Sequence, residues 1–149
     1  MTPLTELKDE ERLFFDTVLN FARERVRPLV REMDESAHLA PHLVRELFDL
    51  GVMGVEIPAE YGGAGSSFFN AILGVEALAQ VDPSVAVLVD VQNTLVENAL
   101  LRWGTPAQKA RYCPKLASEW VGSYALSEAS SGSDAFALKT RAEKRGDRF

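Results

Sequence analysis

Three times along this chain a proline stands just inside the start of an apolar, helically spaced run: Pro41, Pro83 and Pro106. At the first helical position proline sacrifices nothing, because the N–H it lacks would have no intrahelical partner there, and its fixed φ already suits the helix. Gly51 follows the first of these runs and Gly104 the second, and glycine is the residue that most readily takes the left-handed turn that closes a helix. A chain punctuated in this way is built from helices joined by short loops.

The spacing predicts five helices. The first covers residues 10–35, where Phe15, Val18, Ala22, Val26, Leu29 and Met33 form one stripe at three- and four-residue steps. Asp9, Glu10 and Glu11 put negative charge at its N-terminus, and Pro28 predicts a kink, since it removes one backbone donor. The second runs over 41–50 on Leu43, Leu47 and Leu50, and is followed by an extended piece at 52–58 and the glycine-rich loop 61–65. Ser66 or Ser67 caps a third helix reaching Gln80. For 83–102 two readings compete. Residues 85–89 are β-branched and continuous like a buried strand, but Leu88, Val91, Leu95, Val96, Ala99 and Trp103 continue at helical spacing, and length favours one buried helix. Thr105 and Gln108 flank Pro106 as a capping box and open the fifth helix, to about Leu116. After Gly122 the pattern changes: 123–127 alternates and reads as a strand, 136–142 as a second, and Gly146-Asp147 as a turn leading into a further element.

With 149 residues, 46% of them hydrophobic and 26% charged, the chain can bury roughly 68–70% of its unfolded surface without staples, and disorder is excluded as its dominant state. A net charge of −6 argues against a nucleic acid or an anionic membrane as partner, since both need a clustered basic footprint. The lone Cys113 excludes a disulfide framework and a thiolate zinc site and suits a reducing compartment. The acidic start lacks the basic, apolar character of a signal peptide and the arginines of a presequence, and no apolar run approaches the ~20 residues of a membrane span. The expectation is a cytoplasmic protein, or a mature form without its presequence.

His38 and His42 are four apart, but Ala40-Pro41 starts a helix between them and no carboxylate completes a zinc motif; they read as two exposed histidines, and no metal is expected. Cys113 has no activating base nearby in sequence and reads as structural. The loop 61–65 lacks the Lys-Ser/Thr of a phosphate cradle and reads as a tight surface turn. The segment from Tyr124 to Asp134 is different: an aromatic and a hydroxyl residue lead into a small-residue loop rich in backbone donors. Such a loop can approach a flat polar ring or a pyrophosphate closely, or it can be a flexible linker. Composition leaves both open.

The sequence from Tyr124 to Asp134, Tyr-Ala-Leu-Ser-Glu-Ala-Ser-Ser-Gly-Ser-Asp, resembles the flavin-binding signature of the acyl-CoA dehydrogenases, aromatic–x–Leu/Val–Ser/Thr–Glu–Pro/Ala–x–x–Gly–Ser–Asp. Ile57 to Gly65 is similar to the family's P-E-x-Y-G-G-x-G loop, and Gly104 to Pro114 to its G-T-x-x-Q-K-x-x-Y-L-P helix start, with Cys113 in the usual Leu place. The stretches 81–87, 92–95 and 133–140 look most like the short/branched-chain members. The resemblance covers essentially the whole chain. It departs at Ala129-Ser130-Ser131, where Pro/Ala-Gly-Ala is usual; serine cannot adopt a glycine-only backbone angle cheaply, which makes Ser130 the position to inspect.

The resemblance implies a mainly α chain: an N-terminal helical domain over 1–121, then the first strands of a truncated middle β domain over 122–149. It implies FAD-dependent α,β-dehydrogenation of a short or branched-chain acyl-CoA to a trans-2-enoyl-CoA, with electron-transferring flavoprotein as electron acceptor and a homo-oligomer, tetramer or dimer, as the full-length assembly. Tyr124, Leu126, Ser127, Gly132 and Ser133 would contact the flavin, with Ser133 also near the acyl-CoA. Leu88, Val91, Gln92 and Leu95 would face the acyl chain; apolar helical periodicity allows a plain core stripe instead, and Gln92 is the least core-like of the four. No catalytic residue is expected within this chain, because the family's carboxylate comes from a C-terminal bundle; Glu128 reads as a loop anchor. The localisation implied is cytoplasmic in a bacterium and the mitochondrial matrix in a eukaryote. Two other readings are a non-catalytic helical binding module and a flavin oxidase or monooxygenase of the same fold.

Overall fold

The computed structural model describes residues 6–148. Its helices follow the sequence punctuation closely. The second predicted helix is α3, Pro41–Leu50, ended by Gly51 at φ 84°. The third is α4, Phe68–Ala79, with the Ser67 hydroxyl accepting from the Asn70 N–H. The fifth is α7, Pro106–Leu116, whose Thr105–Gln108 capping box is formed.

The first and fourth predicted helices are each interrupted by a widened turn. The first divides into α1, Asp9–Phe21, a π-helical stretch at Ala22–Val26, a 3₁₀ turn at Arg27–Leu29, and α2, Val30–Ser36. Pro28 accounts for this: it cannot donate to the carbonyl four residues back and its ring crowds that carbonyl, so the Arg27 N–H reaches back to the Ala22 carbonyl instead. The fourth divides into α5, Pro83–Asp90, a π-helical stretch at Val91–Glu97, and α6, Asn98–Trp103. Asp82 caps it, its carboxylate accepting from Ser84 N–H at 2.7 Å and Val85 N–H at 3.3 Å. Val85, Val89, Asn93 and Glu97 are all buried and four apart. In a regular helix such a row drifts about 40° at each step; the wider π turn takes up the drift and keeps the row inward.

Two hydrophobic clusters fill the interior. The larger joins α1, α3, α4 and α5 through Val18, Leu43, Leu47, Leu78, Val85 and Val89, and the Arg25–Glu46 ion pair ties the first π stretch to α3 over it. The smaller is Ile57, Cys113 and Leu116, with Tyr61, Val96 and Leu100 against them. The extended piece expected at 52–58 is instead an irregular buried segment. Asn93 holds it, accepting from Val55 N–H at 2.9 Å and donating to Val52 C=O at 2.8 Å, while Ser66 N–H and Gly65 N–H pair with Val55 and Ile57 carbonyls. Gly63 is obligatory there, because a Cβ would stand 2.1 Å from the Ile57 oxygen.

The chain is mainly helical, as expected, but the two strands anticipated at 123–127 and 136–142 do not form among the described residues. A strand exists through the hydrogen bonds of its neighbour, and among the described residues none pairs with the backbone of 123–127. In 136–142 other partners have taken the backbone: Ala135–Ala137 is a 3₁₀ turn capped by Asp134, and the Glu128 carboxylate accepts from Lys139 N–H at 2.8 Å and Thr140 N–H at 3.0 Å. The expected turn at Gly146-Asp147 is present, closed by pairing of Arg145 with Arg148.

Candidate functional site

The second π stretch, α6 and the segment after Trp120 enclose a cleft of about 610 Å³. Phe68, Leu95, Trp103 and Tyr124 give it an apolar and aromatic wall, and Glu56, Thr94, Asn98 and Arg102 a polar one. The polar wall is internally fixed. Asn98 Nδ2 donates to Glu56 Oε2 at 3.1 Å, and Thr94 Oγ1 donates to the Asp90 carbonyl at 2.9 Å. A groove of about 790 Å³ near Arg27, Asp34, His38 and Asp82 contains none of the expected site residues.

Leu95 and Tyr124, far apart in sequence, meet at the cleft. Leu126, Ser127, Gly132 and Ser133 continue outward from Tyr124 as exposed chain. Among the described residues, none of the N–H groups of 123–127 has a hydrogen-bond partner, and a methyl group added at Gly132 would touch nothing within 4 Å. Unpaired, exposed donors on small side chains are the chemistry that the polar edge of a flat ring requires, so the residues present fit a flavin. Ser130, which stands where glycine is usual, causes no strain, since Ala37 is the one described non-glycine residue with positive φ. The turn is closed by Glu128 and Ser131, which exchange backbone hydrogen bonds of 2.9 and 3.1 Å, and by Ser131 Oγ donating to the Asp134 carbonyl at 2.5 Å.

The other three expected acyl-facing residues do not line the cleft. Leu88 packs against the large hydrophobic cluster, and Val91 is half-buried on the π stretch. Gln92 is fully buried, and its amide is spent on main chain: Nε2 donates to Leu116 C=O at 2.9 Å and Trp120 C=O at 3.0 Å, and Oε1 accepts from Gly122 N–H at 2.8 Å. A buried amide must find such partners, and three carbonyl or N–H groups near the end of α7 supply them.

Sequence reasoning missed Glu97. It is fully buried and neither carboxylate oxygen has a hydrogen-bond partner. Burial pushes its carboxyl up to about 9; the nearby Gln92 amide opposes the rise and the charge of Glu56 adds to it. Glu97 stands at four-residue steps from Val85, but with polar Asn93 between them the row does not read as a buried face. Cys113 is also buried, and burial followed by the nearby Glu97 carboxylate raises its thiol, leaving it unreactive. Glu128 is shifted the opposite way: hydrogen bonds from Thr140 and Lys139 hold it below the usual carboxylate range.

The family profile described as “Acyl-CoA dehydrogenase, N-terminal domain” matches residues 8–119. A “probable short/branched chain specific acyl-CoA dehydrogenase” of Dictyostelium discoideum is 51% identical over 145 residues, covering 97% of this chain and 35% of that protein. The mitochondrial short/branched chain specific acyl-CoA dehydrogenase of Bos taurus is 46% identical over all of this chain and 34% of its own length. Among solved structures, a glutaryl-CoA dehydrogenase from Mycobacterium smegmatis in complex with FADH2 superposes with a TM-score of 0.86 at 33% identity, over 94% of this chain and 36% of that one. The chain thus spans about a third of the length of the relatives it matches. Matched along most of its length by that profile, and with its helices in the same arrangement as a solved member, the chain belongs to the acyl-CoA dehydrogenase family through its N-terminal domain.

Proposed function

We propose that this chain forms the helical wall and the first flavin-facing segment of an acyl-CoA dehydrogenase acting on a short or branched acyl group. The observation that carries the reading is the meeting of Leu95 and Tyr124 at one cleft, beside the unpaired backbone donors of 123–127. Family membership and the branched-chain relatives support it. In this reading 1–121 is the helical domain and 122–149 opens a β domain. The full-length enzyme is a homo-oligomer that passes electrons to electron-transferring flavoprotein, and it resides in the mitochondrial matrix in a eukaryote or the cytoplasm in a bacterium.

FAD, when bound, supplies the hydride acceptor for dehydrogenation. Tyr124, Leu126 and Ser127 would hold its ring, the N–H groups of 123–127 would donate to the polar edge, and Gly132 and Ser133 would allow flavin and acyl-CoA to approach each other. Leu95 and Phe68 form the apolar side of the cleft, where they would exclude water from the acyl chain. No group of this chain is assigned the abstraction of the α-proton. Glu128 is committed to two N–H donors and held below its ordinary range, whereas a base for a weakly acidic C–H works best with a pKa raised towards the working pH. Glu97 has the raised pKa but is sealed in the interior.

The test is the protein expressed in its complete reading frame, assayed for flavin absorbance and for dye reduction with 2-methylbutyryl-CoA and butyryl-CoA. Bound flavin and turnover with enoyl-CoA as product are expected. Absence of flavin together with inactivity on every acyl-CoA tried would overturn the reading, and enoyl-CoA formed with an equivalent of hydrogen peroxide, at the expense of oxygen and without the dye, would point to an oxidase.

A further inference from the structure

We infer that Gln92 is a positioning residue, and that with Val96 and Gly122 it forms a latch which sets where the segment 123–127 leaves the helical body. The inference rests on the flavin-facing reading of that segment given above.

The latch is a small set of contacts. Gln92 and Val96 lie four apart on the π stretch Val91–Glu97. The Gln92 amide bonds three main-chain groups: the carbonyl of Leu116, the carbonyl of Trp120 and the N–H of Gly122. Only one amide orientation satisfies two acceptors and a donor at once, so the arrangement fixes the side chain as well as the backbone. Leu116 closes α7, and its carbonyl is among those a helix end leaves without an intrahelical partner. Gln92 therefore joins the end of one helix to the chain that leaves it.

Gly122 completes the latch by size. A Cβ there would stand 2.4 Å from Val96 Cγ1 and 3.0 Å from Cγ2, so only a residue without a side chain passes this close to the π stretch. Downstream the segment is on its own. Among the described residues no N–H of 123–127 is paired, which makes the Gly122 N–H to Gln92 bond the last backbone anchor before Tyr124 enters the cleft. At about 3.3 Å of reach per extended residue, Ser127 lies only five residues beyond that anchor. A shift at Gly122 is thus carried directly to the ring-facing groups, and displacements near 1 Å can cost about a hundredfold in rate.

The experiment compares Gln92→Leu, Gly122→Ala and the double variant Gly122→Ala/Val96→Ala with wild type, each in the complete reading frame. Hydrogen–deuterium exchange over 120–127, flavin content, and kcat and KM are measured. Gln92→Leu and Gly122→Ala are expected to speed exchange of the amide at position 122, which is the one bonded to Gln92, shed flavin and lower kcat about ten- to a hundredfold, with KM changed less. Removing the Val96 methyls clears the contacts at 2.4 and 3.0 Å and leaves the tight one to Val96 Cβ at 3.1 Å, so the double variant should recover part of the flavin and the rate. If Gln92→Leu should fail to fold, the Gly122→Ala pair decides alone.

Three results would overturn the inference: unchanged exchange of the amide at position 122, faster exchange there with flavin and kcat intact, or no rescue by Val96→Ala. A Gln92→Leu variant that changes KM and chain-length preference with normal exchange would make Gln92 an acyl-contact residue instead. Wild-type protein without flavin would sink the functional reading, while the exchange data would still decide whether the latch holds the segment.

Discussion

Glu97 and Asn93 are neighbouring members of one buried row with opposite fortunes. Every polar atom of the Asn93 amide is matched, to Val55, Val52 and Val89, whereas the Glu97 carboxyl has no partner. The consequence is a pH dependence of folding whose sign follows from linkage. Glu97 has a folded pKa of about 9 against 4.5 for the ordinary group, so the folded state binds its proton more tightly than the unfolded state does. Stability is then complete below the unfolded value and falls as pH rises, by about 1.4 kcal/mol per pH unit until the folded pKa is reached. Glu97→Gln removes the ionisation and keeps the size. Urea unfolding midpoints across the pH range should fall with pH in wild type, stay flatter in the variant, and converge in acid. A variant less stable than wild type near pH 8 would contradict this account. Gln92 illustrates where residue-level reading from sequence fails. A polar residue on an apolar stripe signals a special environment, but the signal does not distinguish a ligand from unsatisfied main chain, and here main chain claimed it.

Among the elements, what a short window of sequence encodes was legible and what distant segments supply was not. Thr105 caps its helix as read, Ser67 is the one of the two candidate serines that caps α4, and Asp82, just before Pro83, caps α5, because a cap is decided within four residues. The interruption near Pro28 was readable as a kink, but not as a π stretch followed by a 3₁₀ turn, since proline marks where the ladder breaks and not how the turns on either side close. The second π stretch contains no proline at all; its cause is the buried four-residue row, which becomes visible only once the burial of Asn93 and Glu97 is known. Strands at 123–127 and 136–142 were inferred from alternation, yet alternation cannot provide a neighbouring strand. The caps give a measurable expectation. Asp82→Ala and Thr105→Ala should each cost about 1 kcal/mol in urea unfolding. Asp82 should cost the more, because it is buried and two N–H groups lose their acceptor. Equal, negligible losses would mean that water replaces both caps freely.

At the scale of the whole molecule, the helices share a packed interior while 122–148 lies almost entirely exposed. Phe136 is 102% exposed and Leu126 and Leu138 are 40% exposed, so that tail has few buried contacts to resist opening. Limited trypsin digestion of the 149-residue chain should cut first at Lys139, Arg141, Lys144 and Arg145 and leave the helical body intact. Early cleavage within α3 or α7 would show that the division near residue 121 is misplaced. The cleft draws on the helices and on the chain after Trp120, and sequence could not show that meeting: Leu95 and Tyr124 line one cleft only when α7 brings the chain back past the π stretch.

Cys113, sealed in the smaller cluster with Ile57 and Leu116, gives the protein a reporter of its own. As the sole thiol in the sequence, and with its pKa raised by burial, it should resist a thiol reagent for as long as α7 stays docked. Each alkylation event then counts one opening of that helix. Adding acyl-CoA or flavin to the complete protein should slow labelling at Cys113, followed on its own peptide by mass spectrometry, if the ligands clamp α7 through the Leu116 carbonyl and Gln92, so a stopwatch and a maleimide would time the motion.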